Sequence, residues 1–346
     1  MNTIPLQPKS TAGRFTSFRP SPRFVRGVDL AGQWAAPIMI VVVLFVAMVF
    51  APAFYLPTNL KTLAIQIAVL GIVAVGQTLV LLVRSIDLSV SAVLALGAVI
   101  VVQTQAGNPL WISFIQAFAV AAFLGLANGL LITKRQVPPF VATFGMLVFI
   151  QGARLAYTKG QASGTVPAIL RAISFEQVGP IPAALIVWLI VNIIAIFFLR
   201  KTRYGRWIYA VGGNPSAARY AGIRVDAVII AAHTICSMLA MLGGLLLSGY
   251  IGYVDLRLGA DYNLNSIAAA IVGGTTFTGG RGNLFGTAAG VALLILLLNL
   301  VVVLGLPIHW HGRLYCDSPP AFLPWSLFLR GLQWDAANLA LENEQR

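Results

Sequence analysis

Asp87 is the one acid set within the apolar runs of this chain. It lies in Gln77 to Ser91, QTLVLLVRSIDLSVS, three residues after Arg84. Three residues are close to one helical turn, so the two side chains are expected to face each other. An ionisable group in or beside a membrane span is costly unless paired or wet, which makes Arg84 and Asp87 candidates for a pathway or gate. The structural alternative is a turn at the interface, closed by a local ion pair, with Asp87 capping the next helix. Gln77, Asn128 and Asn265 are further candidate linings, being amides inside or at the edge of apolar runs.

Other chemistry finds little footing. His309 and His311 flank Trp310, but helical ligand pairs want a spacing of four. Cys236 and Cys316 form no CxxC, so no metal site and no disulfide framework is expected. The glycine-rich Ile271 to Thr287, IVGGTTFTGGRGNLFGT, lacks the order and the lysine of a phosphate-cradling loop. It suits a bent helix hairpin re-entering the membrane, with Arg281 at its tip. Gly125 and Gly129, with Asn128 between them, and Gly286 with Gly290 have the spacing that lets helix backbones pack closely. No nucleophile–base pair, carboxylate pair or metal cluster stands out, so no catalytic residue and no cofactor is assigned.

The elements that must position these residues follow from composition. Of 346 residues 58% are apolar and 10% charged, where soluble domains carry roughly 25% charged residues. With a mean hydropathy of +0.86, the chain reads as a polytopic all-α membrane protein with spans of about 20 residues each. The net charge of +13 gathers beside the apolar runs, the pattern of cytoplasmic loops and anionic lipid contact rather than of nucleic-acid binding. Nine runs are expected, near 34–54, 60–83, 88–103, 111–132, 140–157, 181–199, 227–250, 266–276 and 284–304. A tenth is left open. The third and eighth are short enough to be broken or re-entrant. Residues 1–33 read as a basic cytosolic tail, 34–306 as the transmembrane domain, and 307–346 as a divergent C-terminal segment. With the tail inside, Arg84, Lys134, Arg135, the long loop and Arg281 fall inside, while Lys61, Arg154, Lys159, Arg171 and Arg257 lie singly outside.

The long loop, 200–226, carries Arg200, Lys201, Arg203, Arg206, Arg219 and Arg224, with Asp226 at its end. Within it Pro215 to Ala221 reads as a short helix. Asn214 is its N-cap, Pro215 its first position and Gly222 the residue past its last turn. A capped cytosolic helix between two spans is expected to be a handle for another protein.

Four blocks in series, VRSIDLSVSAVLAL (83–96), ANGLLITKRQVPPFVATFGMLVFIQG (127–152), RYGRWIYAVGGNPSAARYAGI (203–223) and LNSIAAAIVGGTTFTGGRGNLFGT (264–287), resemble the permease subunits of bacterial ABC importers for monosaccharides. This is the ribose, xylose, arabinose and galactose group of the branched-chain-amino-acid-type permease superfamily, and the resemblance spans about residues 35 to 306. It implies a path for a sugar across the inner membrane, without catalysis by this chain. It also implies a second permease copy or paralogue, two ATP-binding subunits and a periplasmic sugar-binding protein. Gly213, Asn214, Ala217, Ala218, Arg219 and Gly222 would then form the ATPase-coupling loop. A rival reading is an ion-coupled secondary transporter, which would want buried carboxylates deep in the membrane. After Pro307 the chain departs from the family. Pro319, Pro320, Pro324 and Arg330 interrupt it, so 307–346 is either a degenerate last span, Ala321 to Trp334, or a frameshifted end.

Overall fold

The computed structural model describes residues 22–105, 107–161, 165–255 and 257–305, the side chains of 22–35 excepted. The chain divides into two units, Met1–Leu304 and Gly305–Arg346. The second lies outside the described residues apart from Gly305, and with it both readings of 307–346; residues 1–21 of the expected tail lie outside them too.

The described residues are helical almost throughout. In order they form α1 (Pro22–Phe50), a 3-10 turn (Pro52–Tyr55), α2 (Pro57–Leu82), α3 (Val90–Thr104), α4 (Leu110–Lys134) and α5 (Pro139–Thr158). Then come α6 (Ala168–Phe175), a hairpin of β1 (Gln177–Val178) and β2 (Ile181–Pro182), α7 (Ala183–Lys201), α8 (Arg203–Gly213), α9 (Pro215–Tyr220), α10 (Val225–Ile251), α11 (Tyr262–Val272) and α12 (Leu284–Val303). Six helices, α2, α4, α5, α7, α10 and α12, are long and apolar enough to cross a membrane, and shorter apolar helices cover 36–50, α3 and α11. These match the nine expected runs. α1 starts at Pro22, where proline suits a first helical position, so helix reaches back into the segment read as tail.

α2 is apolar all round and is buried from Ala68 to Leu82, as a helix without a polar face must be. α10 packs along it and also against α3 and α4. Around this core α4, α5 and α7 turn large apolar groups outward. Phe123 and Phe149 are each 67% exposed and Ile193 is 65% exposed, a surface suited to lipid tails rather than water.

Close approach depends on glycine. A Cβ on Gly125 would meet the His233 carbonyl oxygen at 2.6 Å, and one on Gly129 the Ile230 Cα at 2.6 Å, so this GxxxG pair seats α4 on α10. Cβ atoms on Gly286 and Gly290 would overlap the carbonyl oxygens of Gly273 and Ala269, seating α12 on α11. Where no water is present to drive association, such packing and interhelical hydrogen bonds hold the helices together. Examples of the bonds are the reciprocal amide pair of Asn59 and Asn299, 2.9 Å in each direction, and the Thr78–Thr287 hydroxyl pair at 2.8 Å.

The basic residues sort to two ends. At one, Lys134 meets Asp226, and Arg84 meets the end of α8. There the turn 279–282, which contains Arg281, lies against Leu82 and Gly212. At the other, Lys61 Nζ lies 3.7 Å from the Phe175 ring centroid and Gln105 donates to the Thr165 carbonyl. The stretch between the fifth and sixth expected runs holds α6 and begins the β hairpin.

A methyl at Gly244 would overlap the Leu94 carbonyl oxygen, whereas nothing lies within 4 Å of one at Gly145. Gly244→Ala is expected to destabilise by about 1–3 kcal/mol, the usual cost of overpacking. Gly145→Ala, relieving a helical glycine, is expected to stabilise by about 0.5 kcal/mol. Thermal unfolding of both in detergent, followed by tryptophan fluorescence, checks the contrast.

Candidate functional site

The expected short helix is present and its caps are as the sequence requires. Asn214 Oδ1 accepts from the Ala217 N–H at 3.0 Å, and Pro215 takes the first position. At the other end Gly222 has φ 80°. Ile223 N–H donates to Ala218 O and Gly222 N–H to Arg219 O, both at 3.0 Å, which closes the last turn as a Schellman motif. Ala218 is buried, while Gly213, Asn214, Ala217, Arg219 and Gly222 are exposed, and Tyr220 is 94% exposed.

The sequence reading missed α8. Thr202 caps it, its hydroxyl accepting from Gly205 N–H at 3.1 Å. Gly205, Ile208, Val211 and Gly212 form its buried stripe. The spacing was there to be found, but two glycines leave only two apolar side chains to mark it. Its Tyr209 O–H donates to Gly282 O at 3.0 Å. Burial pushes this phenol above its usual range, with Arg200 opposing, so it remains a donor at neutral pH. Asp226 accepts from Lys134 Nζ at 2.8 Å and Arg219 Nη2 at 3.0 Å. Both cations are largely exposed, so each pair contributes roughly 0–1 kcal/mol and mainly sets orientation.

Arg84 and Asp87 do not face each other, contrary to the helical spacing argument. α2 stops at Leu82, and Arg84 takes a left-handed conformation, φ 62°. Arg84 N–H donates to Leu81 O and Ser85 N–H to Val80 O, both at 3.0 Å. The turn sends the two side chains apart. Arg84 Nε and Nη2 donate to the carbonyls of Gly212 and Gly213, each at 2.6 Å, at the negative end of the α8 dipole. Gly280 N–H donates to Leu82 O at 2.9 Å. Three segments thus converge here: the end of α2, the end of α8 and the glycine turn of 279–282. Beside the bond to Leu82 O, Gly279 N–H donates to Thr276 O and Thr276 N–H to Arg281 O.

Asp87 points the other way, into the bundle, and is fully buried. Its Oδ1 accepts from Ser89 N–H (2.9 Å) and Ser89 Oγ–H (2.6 Å), which closes the entry into α3. Its Oδ2 lies 3.1 Å from His233 Nδ1 on α10, and His233 Nε2 lies 2.8 Å from Ser85 Oγ. Asn128 Nδ2 donates to Ser89 Oγ at 3.0 Å. The Gln77 amide, nitrogen toward Asp87 O (3.2 Å) and oxygen toward Asp87 N (3.3 Å), clasps the backbone of the break. Gln77, Asp87 and Asn128 therefore belong to one cluster. Asn265 does not: it is half-buried in the first turn of α11, its N–H donating to Asp261 O.

Hydroxyl, imidazole and carboxylate in a row is the order of a nucleophile-activating relay. Here His233 and Asp87 are fully enclosed and Ser85 nearly so, and the row joins α10 to the α2–α3 break. With neutral His233 the Ser85 hydroxyl donates to Nε2; with a protonated ring it accepts. Either way every atom of the row has a partner. His233 escaped the sequence reading, although a signal existed. Two ionisable groups in separate apolar runs are costly unless they find each other. His233→Leu leaves Asp87 Oδ2 and Ser85 Oγ without the ring and is expected to destabilise by about 3 kcal/mol. Thr234→Val, which loses only a bond to its own helix, is expected to stay within about 0.5 kcal/mol; paired thermal melts check this.

Comparison with known proteins covers most of the chain. The family model for the branched-chain amino acid transport system permease component matches residues 59–332. The chain is 34% identical over 280 residues to the ribose import permease protein of Escherichia coli K12, covering 79% of this chain and 87% of that one. It is 33% identical over 272 residues to the ribose import permease protein of Bacillus subtilis, covering 76% and 83%. To the fructose import permease protein of Rhizobium meliloti it is 32% identical over 273 residues, covering 75% of each. No solved structure matches. With its family model spanning both helix breaks and the α8–α9 knob, the chain belongs to the branched-chain amino acid transport system permease family, a polytopic helical membrane component of ABC importers.

Proposed function

We propose that the chain is the transmembrane permease subunit of an ATP-driven importer for a monosaccharide, with the α8–α9 knob as the seat of an ATP-binding partner. The relatives named for ribose and fructose import support the substrate class. The observation that carries the coupling role is the double anchoring of α9. Its exposed face carries Ser216, Ala217, Arg219 and Tyr220. Its roots are held by Asp226 on one side and, through Gly213, by Arg84 on the other. A load on α9 therefore reaches both α10 and the α2–α3 break. Two ATP-binding subunits, a second permease copy or paralogue and a periplasmic sugar-binding protein complete the proposed assembly. The knob and the denser basic segments face the cytosol. α1 ends at the opposite end of the bundle, beside the start of α2, which supports a cytosolic N-terminus.

In membrane vesicles containing the ATP-binding subunits and the sugar-binding protein, ribose or fructose uptake is expected to require ATP. Uptake that follows a proton or sodium gradient and ignores ATP would overturn the reading in favour of a secondary transporter. Ala217→Asp and Gly213→Trp are expected to lose the copurifying ATP-binding subunit while still inserting in the membrane.

Orientation is checked separately with Tyr220→Cys in a Cys316→Ser background. A membrane-impermeant maleimide is expected to label inside-out vesicles and spare intact spheroplasts. The reverse pattern would invert the topology.

A further inference from the structure

We infer that Arg84 is the positioning residue through which motion of the α8–α9 knob reaches the transmembrane path. The inference rests on the knob being the seat of the ATP-binding partner, and adds the route by which its motion is passed on.

The backbone makes Arg84 an unexpected choice at its position. It is the residue past the C-cap of α2, left-handed at φ 62°, with both bonds of a Schellman motif formed around it. Glycine is the usual occupant of that position, because a side chain there is strained. An outlier of this kind directs attention to what the side chain does. Here the guanidinium fork takes two successive carbonyls, Gly212 and Gly213, at 2.6 Å each. These are the last carbonyls of α8, directly before the Asn214 cap of α9. A planar fork holding two acceptors fixes an orientation that a single-point contact would not.

The surrounding contacts make the junction stiff. A Cβ on Gly212 would overlap the Leu82 carbonyl oxygen, and one on Gly279 would overlap Arg84 Cγ. One on Gly280 would meet Gly213 N at 2.7 Å. Gly280 N–H also bonds Leu82 O. No slack remains for α8 to slide past the end of α2 without carrying Arg84 along. Beyond Arg84 the chain runs at once into Ser85 and Asp87, which His233 ties to the middle of α10. A displacement of Gly212 and Gly213 is thus delivered to the α2–α3 break, and through it to the α10 wall of the bundle. The covalent route, from α9 through Arg224 into α10, bypasses the break.

Arg84→Gly separates the clamp from the fold, because glycine suits the left-handed turn while removing the fork. The test is amide hydrogen exchange of the complete importer, permease with its ATP-binding subunits, in lipid nanodiscs with and without ATP plus vanadate. In the wild type, nucleotide is expected to change exchange in both 212–221 and 83–90. In Arg84→Gly the partner is expected to copurify and 212–221 to respond as before. Exchange at 83–90 without nucleotide is expected to be unchanged, and its nucleotide response to shrink by about tenfold, the scale of a typical coupling between sites. An undiminished response at 83–90 in the variant overturns the inference, as does a wild type in which 83–90 never responds. Loss of the partner in Arg84→Gly also overturns it, by making Arg84 a docking residue. If no ATP-binding subunit copurifies with the wild type, the underlying reading has failed as well, and Ala217→Asp then changes nothing.

Discussion

Helices that end inside a packed bundle leave carbonyl groups that water cannot reach, and the fold depends on finding donors for them. α2 ends at buried Leu82, and α11 ends at Val272, just before buried Gly273. The last carbonyls of α2 are met in order: Val80 O by Ser85 N–H, Leu81 O by Arg84 N–H, and Leu82 O by Gly280 N–H from the other break. Those of α11 are met by Gly273, Gly274 and Thr275. The last carbonyls of α8 are met by the Arg84 side chain. Each break lends a donor to a neighbour, so the three chain ends are solved together rather than singly.

This shared solution dictates the small residues. A donor reaches a carbonyl of another segment only if the backbones touch, and Gly212, Gly279 and Gly280 are the places where they touch. The glycine-rich stretch 271–287 is a joint between helices, with the amides of Gly273, Gly274, Thr275, Thr276, Gly279 and Gly280 engaged. The same reasoning covers Gly273 against Gly286, where α11 and α12 meet. Substitution at such positions acts on two segments at once, and its effects are not expected to add with those of neighbours in the junction.

What was legible in the sequence was local. Apart from the start of α1, the nine apolar runs emerge within a few residues of the observed helices, because a 20-residue apolar stretch has few other uses. The caps of α9 were legible because Asn214, Pro215 and Gly222 act on amides no more than five residues away. What failed was the side-chain pairing inferred across a break. Pairing Arg84 with Asp87 assumed a helix continuing past Leu82, and the Schellman turn made it false. Partners 128 and 129 residues away for Arg84, and 146 away for Asp87, leave no mark on a pattern with a period of 3.6. α8 was hidden for another reason: its buried face is made partly of glycine, which contributes closeness rather than hydrophobicity. The membrane itself supplied the one long-range clue that went unused, that an acid and a histidine stranded in apolar runs must meet.

The two polar assemblies around the α2–α3 break differ in how easily they can be undone. Asp87 and His233 are fully enclosed, and parting them leaves buried polar groups with no solvent to turn to, at a cost of about 1–3 kcal/mol or more for each. Arg84 is exposed. Water can replace its carbonyl partners, so its two bonds are worth at most about 1.5–3 kcal/mol each, and less when screened. The strain of its left-handed backbone, about 1–2 kcal/mol, offsets part of that. The net hold is therefore modest, and it passes motion on because the glycine contacts around it leave α8 no room to slide. A break with one enclosed tie and one exposed tie pivots about the enclosed one. Asp87–His233 is the fixed point, and Arg84 is where a partner gripping α9 can act on the break without tearing the bundle.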